Sequence, residues 1–115
     1  MQENFRWTPP VGPLGRLSSA ALARAERLVP TLNELRARGA DGASRPSFAA
    51  ALKRGSTVAV IAEIKRRSPS KGIINASIDA VDRARLYADA GASALSVLTE
   101  SAEFGGSSDD LRDVA

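Results

Sequence analysis

The chain has 115 residues, 43% hydrophobic and 25% charged, with a net charge of +3, the balance of an ordinary folded domain and not of a fibrous or disordered chain. It contains no cysteine and no histidine, which excludes within it a disulfide framework, a thiol nucleophile, imidazole zinc ligation and a Ser-His-Asp triad. Acid–base work therefore falls to Glu, Asp, Lys or Tyr. In chain order, residues 1–13, MQENFRWTPPVGP, read as an irregular lead-in with Pro9, Pro10 and Pro13. They lack the basic segment and apolar core of an export signal, and no window of about 18 apolar residues follows, so no membrane partner and a cytoplasmic location are expected.

From Leu14 the apolar positions Leu14, Leu17, Ala21, Ala25, Leu28, Leu32 and Leu35 recur at steps of three or four, the face of an amphipathic helix. Its leucine stripe is read as core or interface. Pro30 should kink or divide this helix, because proline removes a backbone donor and crowds the preceding turn. Gly39 and ADGAS should end it, and RPSFAAALKRG reads as a second, short helix with Pro46 in its first turn and Gly55 just past its end.

At VAVIAEI, residues 58–64, the period changes to a continuous β-branched run, the pattern of a strand covered on both faces as in a parallel sheet. After a Ser/Pro/Gly-rich loop, Ser77 or Asp79 can cap a helix running to about Ala90, with Gly91 as its left-handed ending. ASALSVLTE, residues 92–100, is a second buried-strand pattern, and the spacing of the two strands suits a β-α-β unit. FGGSSDDLRDVA then makes a Gly-rich loop and opens a helix that Ser107 or Ser108 can cap, with Asp109 and Asp110 at its positive end. Two parallel strands leave unpaired edges and too few partners for their apolar faces, so the chain is expected to be the opening of a larger α/β domain.

Charge is distributed unevenly. Residues 1–57 hold nine Lys/Arg against four Asp/Glu, residues 58–72 four against one, and residues 73–115 three against eight, so the basic excess culminates in IAEIKRRSPSKG and favours an anionic partner. On a strand Ala59, Ile61, Glu63 and Lys65 share one face, with the two charged residues roughly 6.6 Å apart along the chain. Charges at the carboxyl end of a parallel strand sit where α/β folds place their ligands. A solvated ion pair worth about 0–1 kcal/mol is the alternative. KRRSPSKG could equally be a basic surface loop, and without interleaved aromatics a nucleic-acid partner is not expected. Gly105 and Gly106 could let backbone N–H groups approach a phosphate, but FGGS lacks the spacing of a nucleotide loop and a plain turn is preferred. Phe104 reads first as a packing residue.

VAVIAEIKRRSPSKGII, followed by ARLYADAGASALSVLTE and FGGSSDDL, resembles the amino-terminal part of the indole-3-glycerol phosphate synthase family. The resemblance covers roughly residues 14–115, weakly through the leading helices and specifically from Val58 onward. It implies a partial (β/α)8 TIM barrel, with residues 14–57 as an amino-terminal helical extension and residues 58–115 as the first two β/α units. It also implies a lyase of tryptophan biosynthesis that closes and decarboxylates 1-(2-carboxyphenylamino)-1-deoxyribulose 5-phosphate, a small anionic substrate carrying phosphate and carboxylate, without metal or organic cofactor. By matching motif, Glu63 and Lys65 fall on catalytic positions, Lys65 and Ser68 on substrate contacts, and Phe104 on the lining of the anthranilate pocket. The family's general acid, its base and its phosphate loops would lie beyond Ala115, so the isolated chain is expected to be inactive. The other reading is a non-catalytic barrel fragment that self-associates through unpaired strand edges or complements a missing portion. A different phosphate-ligand barrel fits the EIKRRSPSKG wording less well.

Overall fold

The computed structural model describes residues 7–40, 45–53 and 55–115, so residues 1–6 of the expected lead-in and residues 41–44 of the expected ADGAS helix end lie outside the described residues. The chain divides into two compact units, residues 1–44 and 45–115.

In the first unit α1 spans Pro13–Leu28 and α2 spans Leu32–Ala40, separated by a single 3-10 turn at Val29–Thr31. Proline at residue 30 has no N–H to give the carbonyl four residues back, so the α ladder breaks there, as its placement in the sequence predicts. Thr31 Oγ1 donates to the Leu28 carbonyl at 2.9 Å and satisfies one acceptor at the break. Gly15 is the buried residue of α1, because the Pro10 carbonyl lies where its Cβ would stand. The leucine stripe is open in this structure: Leu14 is 64% exposed and Leu28 53%.

The second unit is α/β. Its elements are α3 (Phe48–Ala51), β1 (Ile61–Ile64), β2 (Arg67–Ser68), β3 (Gly72–Ile73), α4 (Ala80–Asp89), β4 (Ala94–Val97), α5 (Ser101–Phe104) and α6 (Ser108–Val114). Ser47 caps α3, its Oγ accepting from the Ala50 amide at 3.2 Å, which places Pro46 before the helix and not in its first turn. Asp79 caps α4 by accepting from the Asp82 amide at 2.9 Å, while Ser77 is drawn into a turn on Asn75 Oδ1. Gly91, at φ 89°, supplies the expected left-handed ending of α4.

β1 and β4 pair in parallel in the register Ile61 with Ala94, Ala62 with Leu95, Glu63 with Ser96 and Ile64 with Val97. Both strands are shorter than the apolar runs suggest. At the start of β1 the Val60 carbonyl still accepts from the Ser93 amide at 2.8 Å, but the Val60 amide donates to Ser93 Oγ at 3.2 Å and not to a backbone carbonyl. The core lies on one face only: Ile64 is 3% exposed against Ala80 and Ala84 of α4, with Ile78, Tyr87, Leu95, Val97 and Val114 packed around them. Side chains alternate along a strand, so Ile61, Glu63 and Lys65 share the other face, and Ile61 is 48% exposed there. The expectation of cover on both faces is thus met on the helix side alone.

Candidate functional site

Glu63 is the third residue of β1, and Lys65 follows the strand directly. Their side chains meet: Lys65 Nζ donates to Glu63 Oε1 at 2.7 Å, with Lys65 33% and Glu63 41% exposed. At that exposure the pair contributes about 0–1 kcal/mol to stability, so its value for folding is small. The ammonium has three donors and Glu63 takes one of them, which leaves hydrogen-bonding capacity toward solvent or a ligand.

The segment after Lys65, expected as an irregular loop, is a small antiparallel hairpin in which Arg67 pairs with Ile73 and Ser68 with Gly72. Ser68 Oγ accepts from the Lys71 amide at 3.2 Å across the SPSKG turn and keeps its own hydroxyl hydrogen to donate elsewhere. α5, which ends in the half-buried Phe104, packs against β2, which ends in Ser68. Glu63 and Lys65 thus meet at the end of β1, while Ser68 stands on β2 and Phe104 on the helix packed against it.

Arg66 holds this corner in place, and its sequence context does not separate it from the other basic residues of the loop. Its guanidinium grips Asp110 with both arms, Nη1 to Oδ2 at 2.6 Å and Nη2 to Oδ1 at 3.0 Å. Nε donates to the Ile78 carbonyl at 2.9 Å and Nη1 also to the Gly105 carbonyl at 3.1 Å. The Arg66 carbonyl accepts from the Ile74 and Asn75 amides at 2.9 and 3.0 Å, closing the base of the hairpin. One residue thus links the end of β1, the start of α4, the turn after α5 and α6. The fork from Arg66 holds the Asp110 carboxyl below the usual carboxylate range; partial burial pulls the other way, and Ser107 adds a further downward hydrogen bond. Asp110 in turn raises the Arg66 guanidinium.

Glu100 reads as the end of a strand in the sequence, but its carboxylate caps α5, accepting from the Ala102, Glu103 and Phe104 amides at 3.2, 2.7 and 3.3 Å. The glycines of FGGS serve the same turn. Gly105 takes φ 68°, the left-handed C-cap, and a Cβ on Gly106 would lie 1.6 Å from the Leu98 carbonyl oxygen. Their amides donate to the Ser101 and Glu100 carbonyls at 3.1 and 3.0 Å, so both are spent inside the turn and not presented to a phosphate. Ser107 caps α6, its Oγ accepting from the Asp110 amide at 3.0 Å.

Among the described residues, three clefts on the second unit stand out. One of about 320 Å³ over the start of α4 is lined by Arg66, Ser77, Asp79, Asp110 and Asp113 among others, and its rim is acidic. A second, about 280 Å³, lies between the hairpin and the Gly105 turn. A third, about 230 Å³, is apolar and sits beside Val60, Ala62 and Tyr87. Glu63 and Lys65 line none of these three; they stand on the open strand face. Among the described residues no cluster of three or more acidic side chains could hold a metal ion, and no helix is long and apolar enough to cross a membrane.

Comparison with known proteins places this arrangement. The family model described as indole-3-glycerol phosphate synthase matches residues 18–115. The indole-3-glycerol phosphate synthase of Opitutus terrae is 60% identical over 70 residues, covering 60% of this chain and 26% of the relative. That of Microcystis aeruginosa is 51% identical over 81 residues, covering 70% of this chain and 27% of the relative. That of Exiguobacterium is 57% identical over 56 residues, covering 49% and 22%. The chain spans about a quarter of the length of these curated relatives. With the family model matched along most of its length, the chain belongs to the indole-3-glycerol phosphate synthase family.

Proposed function

We propose that the second unit supplies the first two β/α units of a (β/α)8 barrel and that the chain contributes to the decarboxylating ring closure of 1-(2-carboxyphenylamino)-1-deoxyribulose 5-phosphate to indole-3-glycerol phosphate. The observation that carries this reading is the Lys65–Glu63 pair, 2.7 Å apart, at the carboxyl end of a parallel strand in a chain of this family. That end of a barrel strand is where such folds place their chemistry. Lys65 binds the anionic groups of the substrate and holds its aromatic ring near the ribulose carbonyl carbon, a positioning role for a compact point charge. Glu63 orients Lys65 and limits how far its ammonium swings. Ser68 donates its hydroxyl hydrogen to the substrate, and Phe104 lines the pocket of the anthranilate ring. The face bearing Ile61 would be covered by the rest of the barrel, which makes an otherwise costly 48% exposure useful. The setting is the cytoplasm and the pathway that of tryptophan.

A general acid and base commonly contribute 10²–10⁴-fold each, and the resemblance puts the family's own pair on strands outside this chain. The test is to mix the 115-residue chain with a polypeptide carrying the remaining strands of the barrel and to follow indole-3-glycerol phosphate fluorescence. Activity in the mixture that is absent from either part supports the reading. No activity in any refolded mixture, with both parts shown to associate, refutes it and leaves a non-catalytic fragment.

A further inference from the structure

Two basic residues of the loop, Arg67 and Lys71, have no acidic partner among the described residues, and of these two Arg67 lines a cleft. Arg66 is neutralised by Asp110, and Lys65 is paired with Glu63. The Arg67 side chain makes no hydrogen bond or ion pair among the described residues, and its Nε is shielded from solvent without a partner. A buried donor in that state is costly, and such a group in a native fold calls for a reason. Its side chain forms one wall of the 280 Å³ cleft, together with Arg66, Ile73, Ala76 and Gly105. The Gly105 turn runs beside the Arg67 stem, a Cβ placed there standing at ordinary contact distance, 3.4 Å, from it.

We propose that Arg67 is an oxyanion-binding residue and that the cleft between the β2–β3 hairpin and the Gly105 turn is its subsite. The ligand is a small molecule with a phosphate or carboxylate on an apolar body. Its anionic group draws the guanidinium forward so that Nε and one Nη donate side by side, the fork geometry that suits either oxyanion. Its apolar part lies on Ile73 and Ala76. An unneutralised cation in a partly walled cleft supplies the local field that favours such a ligand. The subsite stands independently of the ring closure proposed above, since neither Glu63 nor Lys65 lines it.

The test is binding, not turnover, so its failure and a failure of the proposed reaction are separable. The 115-residue chain, labelled with ¹⁵N, is titrated with sodium phosphate and with sodium benzoate against sodium chloride at matched ionic strength, reading the arginine Nε–Hε signals. The Arg67 signal shifts saturably with at least one of the two probes, and the probe that saturates identifies the oxyanion. The Arg112 signal, on a side chain held by Asp109 and Asp113 and outside the lining of this cleft, stays put and serves as the internal control. Arg67→Gln weakens binding about tenfold or more, read from backbone amides around the cleft, and Arg67→Lys, which keeps charge without the fork, about threefold. If Arg67→Gln loses its dispersed spectrum, Arg67→Lys carries the comparison. Saturation by neither probe, or affinity unchanged in the variants, overturns the proposal.

Discussion

Replacing Arg66 by alanine is the sharpest perturbation of this fold. It removes four hydrogen bonds, two of them to a carboxylate, from a side chain 20% exposed whose partner Asp110 is 16% exposed. Exposed pairs are worth about 0–1 kcal/mol, and breaking a fully buried one costs about 3–5 kcal/mol. This pair lies between those limits, so Arg66→Ala is expected to cost about 2–3 kcal/mol, in line with hydrogen bonds to charged groups. The assay is urea unfolding of the 115-residue chain and of Arg66→Ala, Asp110→Ala and the double variant, in a fixed concentration of a stabilising osmolyte that keeps all four folded. The cycle should give a coupling of about 1.5–2 kcal/mol. Because the folded Asp110 carboxyl titrates below its unfolded value, its contribution is complete above the unfolded pKa and is lost as pH falls through the folded one. The coupling should therefore be full at neutral pH and fade below about pH 4. A coupling under about 0.5 kcal/mol, or one that persists unchanged into acid, would refute the view that this ion pair secures the corner.

Three further outcomes follow from the same geometry. Gly106→Ala should destabilise more than Gly105→Ala in thermal melts, because its Cβ would meet the Leu98 carbonyl oxygen at 1.6 Å whereas Gly105 faces a left-handed backbone costing about 1–2 kcal/mol and side-chain atoms at 3.4 Å. Glu100→Ala should cost about 1 kcal/mol by removing the carboxylate that accepts from three amides of α5, with Glu100→Gln recovering part of it, as read from the denaturant midpoint. In a complemented enzyme, Lys65→Ala should lower turnover by about 10²-fold while Lys71→Ala changes it by less than about threefold, since Lys71 lies on the exposed hairpin turn and Lys65 at the strand end. Similar kinetics for the two lysine variants would count against the assigned roles.

Features that depend on residues within about four positions of one another were legible in the sequence. Pro30 breaks the first helix, one of Ser77 or Asp79 and one of Ser107 or Ser108 caps the helices that follow the loops (Asp79 and Ser107 in the structure), Gly91 ends α4, and the alternation along β1 puts Glu63 and Lys65 on one face. Each follows from a missing donor, a short acceptor side chain or the two-residue period of a strand. The family wording pointed to Glu63, Lys65, Ser68 and Phe104, and that wording carries more than any periodicity could. Only the tertiary structure decided which charges are spent. Arg66 and Asp110 are 44 residues apart, and they meet because β4 returns beside β1 and brings α6 to the end of the first strand. Glu100 leaves the strand pattern to cap a single turn, and Gly106 is required by the Leu98 carbonyl, eight residues earlier in the chain, and not by any turn signature. Local chemistry sets the elements, whereas the partner of a charged side chain is set by which elements the chain closure places within hydrogen-bond reach.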